Sequence, residues 1–242
     1  MTFLSRPLAA ATLLATSAAA LAAGPACQAE SAATLTPVIE LYTSEGCSSC
    51  PPADRWLSTL KDSAAGGKAV VQAFHVGYWD YIGWVDRFAS PAYTTRQKQV
   101  AGSNGLSNIY TPQVVRNGRD WRDFSRPAAA AEPARARISI QRGTSDAFEA
   151  NVAPTDPSAR WSAYWTVTEH GHSSKVKAGE NAGELLQHDF VVRQYVPAGD
   201  YQGPARLVLR AVPGEAGHPR QVNLVIYEKA SGKPLQALSL GC

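Results

Sequence analysis

Residues 38–60 read VIELYTSEGCSSCPPADRWLSTL. The first six residues are apolar and partly β-branched, the pattern of a buried strand. Cys47 and Cys50 follow, two residues apart, in a loop. Pro51 and Pro52 suit the first turn of a helix, where no N–H partner is needed. Trp56, Leu57 and Leu60 then supply helical spacing. Gly66 and Gly67 end that helix, and residues 69–75 (AVVQAFH) read as a second buried strand. Strand, crossover helix and strand form the βαβ signal of a sheet with helices on its faces.

Downstream, residues 77–110 carry an aromatic-rich insertion. Tyr81 and Val85 lie four apart, as do Trp84 and Phe88, which predicts a short helix. Pro91 breaks it, and residues 92–100 predict another. QVVR (113–116) reads as a strand running into an Asn117-Gly118 turn. Residues 125–135 are Ala-rich and predict a helix capped by Ser125. Beyond residue 136 the texture changes to short alternating strands, with Ala163, Trp165 and Val167 on one face of a longer one. Residues 190–196, 206–211, 222–227 and 235–240 are further strand candidates. These features predict an antiparallel sandwich or barrel.

The whole chain has 242 residues, 45% of them hydrophobic, and a formal charge of +3. That composition argues against a disordered tail, a collagen-like fibre and a polybasic nucleic-acid binder. Arg6 followed by an Ala/Leu run over residues 8–23 has the form of a secretory leader. The run is too weakly apolar for a permanent span. A leader over residues 1–29 puts the protein in the periplasm or outside the cell, where disulfides persist. Cleavage after Ala26 would keep Cys27, which could then join Cys242; cleavage after Ala29 would leave Cys242 unpaired.

A CxxC where a strand enters a helix has a chemical use. Unpaired N–H groups and partial positive charge at the helix start stabilise a thiolate on the first cysteine. The second cysteine can then resolve a mixed disulfide. Cys47 is the expected attacking thiol and Cys50 the resolving one, acting on a peptide or protein thiol or disulfide, with no cofactor. A static structural disulfide in a binding or envelope-maintenance module is a competing reading, and metal handling is a third. Around the pair, Thr111 and Pro112 precede a strand, and Tyr78, Trp79 and Trp84 could line a substrate groove. His75, at a strand end on the functional face, and Asp80 are candidates for tuning the thiols. Glu45, whose charge would oppose a thiolate, is expected to face solvent. The GENAG turn (179–183) suggests a special turn shape or a contact with the first domain.

Taken together, ELYTSEGCSSCPPAD, FHVGYWDYIGW, FASPAYTTRQ, IYTPQVVRNG, GENAG and HDFVVRQY resemble the DUF1223 family of exported bacterial proteins. The resemblance implies an α/β thioredoxin-like domain over residues 36–128 with a helical aromatic-rich insertion. A β-rich sandwich-like domain over residues 137–242 would follow. It also implies that Cys47 and Cys50 are the dithiol and that Pro112 is the cis proline of that fold.

Overall fold

The computed structural model describes residues 1–2, 27–124 and 132–242. Most of the expected leader and the larger part of the helix expected over residues 125–135 lie outside the described residues. In chain order the elements begin with β1 (Gln28–Glu30), β2 (Val38–Thr43), α1 (Pro51–Ser58), α2 (Lys61–Ala65) and β3 (Val70–His75). A 3-10 turn (Asp80–Ile82), α3 (Pro91–Ser103), β4 (Gln113–Arg116) and β5 (Arg119–Asp120) follow. The rest is strand: β6 (Ala136–Arg142), β7 (Ala147–Pro154), β8 (Arg160–Glu169), β9 (His172–Lys175) and β10 (Leu185–His188). The last four are β11 (Val191–Gln202), β12 (Ala205–Arg210), β13 (Arg220–Tyr227) and β14 (Pro234–Leu240).

Strands make up 42% of the structure and helices 14%, so an α/β thioredoxin-like domain carrying a helical insertion is not the architecture found. The strands lie in large mixed sheets instead. Eight of them share one sheet in the order β14-β13-β8-β11-β3-β2-β4-β5. A second sheet, β1-β6-β7-β12, and the β9–β10 ribbon complete the set among the described residues. The first helix expected in the insertion, across Tyr81–Phe88, fails to form for a local reason. The Asp80 carboxylate accepts the Asp86 N–H at 3.2 Å, and the Asp86 carboxylate accepts the Phe88 N–H at 2.9 Å. These side chains take the backbone donors a helix would need, and Gly83 at φ 101° turns the chain away. Only the 3-10 turn survives there, whereas the second helix, expected over residues 92–100, is present as α3.

The large sheet is covered differently along its width. At the β3–β2–β4 end both faces are buried, as expected for strands with helices on either side. Ile39, Leu41, Val71 and Ala73 pack with Ala53 and Leu57 of α1. Tyr42, Phe74 and Val76 pack with Tyr93 of α3 on the other face. At the β8–β13–β14 end one face meets the second sheet. There Trp161, Ala163, Trp165 and Val167 of β8, the alternating face legible in the sequence, pack with Ile138, Ile140, Phe148 and Leu207.

The join between the two ends is narrow in backbone terms. β3 and β11 run parallel and pair at Ala73 and Val191. Side chains reinforce it. The Tyr164 hydroxyl donates to Glu40 at 2.8 Å, and the Thr166 hydroxyl donates to Gln72 at 2.7 Å. Arg96 of α3 pairs with Glu40 and lies over the Tyr164 ring at 4.0 Å. At the far edge, Asn117 and Gly118 both have positive φ, as the turn reading requires. A Cβ at position 118 would sit 2.4 Å from the Gly232 carbonyl oxygen, so the β13–β14 hairpin closes against this turn.

Candidate functional site at the dithiol

β2 ends at Thr43, and the chain turns through Ser44–Gly46 before α1 begins. Two backbone bonds shape the turn: Cys47 N–H to Ser44 O at 3.1 Å, and Cys50 N–H to Cys47 O at 3.1 Å. Cys47 and Cys50 are joined as a disulfide, and Cys50 is the residue that caps α1. Ser48 and Ser49 are exposed while both cysteines are buried. The Ser49 hydroxyl lies 3.4 Å from the Cys47 sulfur.

Two other segments clamp this turn. A Cβ at Gly46 would lie 3.0 Å from the Trp79 Cβ, so glycine lets the aromatic segment seat here without being pushed back. The Trp79 indole N–H donates to the Thr111 hydroxyl at 2.7 Å, and Thr111–Pro112 is a cis peptide. Trp79 is therefore the shared neighbour of the dithiol turn and of Thr111. Trp84 donates to the Glu45 carboxylate at 2.6 Å. Tyr78 is half-buried. The second clamp is the GENAG turn between β9 and β10. The Asn181 amide donates to the carbonyls of Glu45 (2.8 Å) and Cys47 (3.0 Å), and the Glu180 carboxylate accepts the Ser48 N–H at 2.9 Å. The glycines in GENAG were the visible signal for this contact.

Glu45 does not face solvent as expected; it is fully buried. The indole N–H of Trp84 and the nearby His188 ring draw it inward, His188 Nε2 lying 3.3 Å from Glu45 Oε1. Burial works to raise its carboxyl pKa, but the contacts with His188, Ser174 and Trp84 prevail and hold it low. Asp54, one helical turn after Cys50, is also buried and accepts from the Thr43 hydroxyl at 3.1 Å. Burial pushes the Asp54 carboxyl above its usual range. His75 closes the group. Its Nδ1 meets Asp86 at 2.7 Å, and its ring packs edge-on to His188 with centroids 4.9 Å apart. Three carboxylates and two imidazoles thus lie together beneath the dithiol turn. Asp80, by contrast, spends one carboxylate oxygen on its own loop.

The Asp86–His75 pair sets a pH dependence. Burial opposes ionisation of both, yet the charge and hydrogen bond of each partner win, so the Asp86 pKa is lowered and the His75 pKa raised. Asp86 stabilises the fold fully above its unfolded value of about 3.9, and that contribution is lost as pH falls through its lower folded value. His75 stabilises it fully below about 6.5, and that contribution is lost as pH rises through its raised folded value. Both are in force between about pH 4 and 6.5. Asp86→Asn is expected to cost most stability in that window and least near pH 9. Urea midpoints of the two proteins across pH 4–9 check this, and a constant gap between them would refute it.

Each of the five histidines faces its own carboxylate: the other three pairs are His170–Asp189, His172–Glu169 and His218–Glu215. His172, Glu215 and His218 also approach one another closely. The two rings stack at 3.8 Å and 10°, so their in-plane lone pairs run side by side instead of converging on one ion. Arg193 already bridges Glu169 and Glu215.

The profile of a protein family described as "Protein of unknown function (DUF1223)" matches residues 38–227. The chain belongs to the DUF1223 family. Two solved structures are similar to it. One is a crystal structure of a protein from Agrobacterium tumefaciens, 23% identical, with a TM-score of 0.64, covering 85% of this chain and 94% of that one. The other is HBP35 of Porphyromonas gingivalis, 12% identical, with a TM-score of 0.57, covering 86% of this chain and 76% of that one. These likenesses concern the fold. Among curated proteins no match is found. This DUF1223 member carries two disulfides, Cys47–Cys50 and Cys27–Cys242, which are compatible with an extracellular or periplasmic setting. No helix among its described residues is long and apolar enough to cross a membrane.

Proposed function

We propose that this protein carries out thiol–disulfide exchange on a peptide or protein substrate through Cys47 and Cys50. The observation that carries the reading is the pairing of these cysteines in a short disulfide at the start of α1, with exposed Ser48 and Ser49 between them. In the reduced protein, Cys47 thiolate attacks a substrate disulfide, forms a mixed disulfide and releases one substrate thiolate. Cys50 thiolate then attacks the Cys47 sulfur, releases the second substrate thiolate and restores the Cys47–Cys50 bond. The Ser49 hydroxyl, 3.4 Å from the Cys47 sulfur, and the partial positive charge at the start of α1 favour the Cys47 thiolate. On this reading Thr111, Pro112, Tyr78, Trp79 and Trp84 face the bound polypeptide, and His75 acts on the thiols through the buried carboxylates.

The experiment is the reduction potential of the pair, with exchange rates against glutathione and insulin for wild type and Cys47→Ala. Wild type is expected to exchange and Cys47→Ala to lose exchange by about a hundredfold or more, since the attacking sulfur is gone. A wild-type protein as inert as the variant would sink the reading.

A second reading, a binding module held by a structural disulfide, is favoured by one observation: both sulfurs are buried and Asn181 and Glu180 clamp the turn. It predicts ligand binding that survives loss of both cysteines.

A further inference from the structure

A cavity of about 410 Å³ opens beside Ser48, between the first turns of α1 and the segment leading into β10. Asp54 and His188 form its buried floor, and Glu180 and Glu184 stand on its wall. Pro51 and Leu185 line it with apolar surface, and Leu185 is 63% exposed. Arg55 is the one Lys or Arg lining it among the described residues.

The electrostatics behind the floor are unbalanced. Glu45, Asp54 and Asp86 are buried together, and only imidazoles face them as ion-pair partners among the described residues. Among the described residues the His188 Nδ1 has no hydrogen-bond partner, while its Nε2 faces Glu45 at 3.3 Å. Buried charge without a matching cation is costly, and burial pushes the Asp54 carboxyl above its usual range, a shift that a ligand cation beside it would oppose. Among the described residues, no three His, Cys, Asp or Glu side chains converge in this cavity closely enough to hold an ion. The proline and leucine walls suit an aliphatic stem, with carboxylates below and beside it for a terminal cation.

From this arrangement we infer that the cavity is a subsite for a lysine or arginine side chain of the polypeptide whose sulfur engages Cys47. This rests on the exchange reading and names its substrate class: polypeptides with a basic residue near the reacting cysteine. Exchange takes place at Cys47, and the subsite supplies binding only, with no covalent step of its own.

The test uses the oxidised full-length protein and cysteine-free heptapeptides, with serine in place of the reacting cysteine. Each carries lysine, arginine, norleucine or glutamate at a scanned position, and affinity is read by calorimetry. Lysine and arginine peptides are expected to bind about tenfold tighter than norleucine, and glutamate more weakly still. Glu184→Gln, at an exposed position, and Asp54→Asn should each shrink that preference. Equal affinities across the series, no binding of any peptide, a preference untouched by both substitutions, or displacement of the lysine peptide by stoichiometric zinc would each overturn the subsite. Exchange with the small neutral 2-hydroxyethyl disulfide is measured in parallel. Its absence alongside an intact lysine preference defeats the exchange reading and leaves the cavity as a cation site. Its presence with no lysine preference defeats the subsite alone.

Discussion

Arg96→Met is expected to destabilise the protein by about 3–5 kcal/mol, the range for removing one member of a buried ion pair. Glu40 is 3% exposed, and its carboxylate accepts from Arg96 and from the hydroxyls of Tyr42 and Tyr164. Without the guanidinium, that carboxylate keeps its burial and loses its counter-charge. The position raises the stakes, because Glu40 and Tyr164 stand on opposite sides of the β3–β11 join, where the backbone supplies a single bridge. A melting temperature lower by about 10 °C corresponds to this loss in a domain of this size. Adding Glu40→Gln to Arg96→Met removes the stranded charge and should recover at least half of the deficit. Urea unfolding of the single and double variants decides it. A double variant no better than the single one would show that aromatic packing around Arg96, and not the charge, holds the join.

Replacing both Cys27 and Cys242 with serine should cost a comparable amount. These cysteines lie 215 residues apart in sequence. For a loop of that length the chain-entropy relation gives about 5 kcal/mol, toward the upper end of what disulfides contribute. Cys47–Cys50 closes a loop of only a few residues, so its removal should cost roughly 3 kcal/mol less on the same relation. Thermal unfolding of the two double variants under oxidising conditions tests the contrast, and equal losses would contradict it. The outcome also bears on the leader. Cys27 is bonded to Cys242, and β1 pairs with β6 from Gln28 to Glu30. A leader cut after Ala26 keeps that bond and that strand, whereas a cut after Ala29 removes both the cysteine and most of the strand. Intact-mass measurement of the protein taken from its native host is expected to give a chain beginning at Cys27.

Much of the strand pattern was legible because it depends on neighbours in sequence. VIELYT and QVVR occupy the positions expected, and the Asn117-Gly118 turn follows from the positive φ those residues tolerate. Alternation placed Trp165 and Val167 on one face of β8, and that face is the sandwich core. The cysteine turn at a helix start was legible for the same reason. The aromatic insertion was not. Four-residue spacing of Trp84 and Phe88 imitates a helix, but Trp84 is drawn to Glu45 while Phe88 packs among the rings of His75, His172 and His188. Nor could spacing reveal the charge cluster under the dithiol. Its members come from positions 45, 54, 75, 86 and 188, and they meet only because β3, α1, the insertion and β10 converge there. Glu45 was misplaced because a charged residue in a loop ordinarily seeks water, and the donors that hold it inside lie 39 or more residues away.

The bond between Cys27 and Cys242 also imposes an order on oxidation. Of the four cysteines, Cys27 comes first in chain order and its partner Cys242 last. Between them come two thiols much nearer in sequence, either of which Cys27 could capture first. Early closure of Cys47 with Cys50, a local event, would take both competitors out of reach. The short pair would thereby protect the long one during maturation. Chains in which Cys47 or Cys50 is singly replaced should accumulate Cys27 bridged to the remaining inner thiol, a species that mass-spectrometric mapping of nascent oxidation products would resolve.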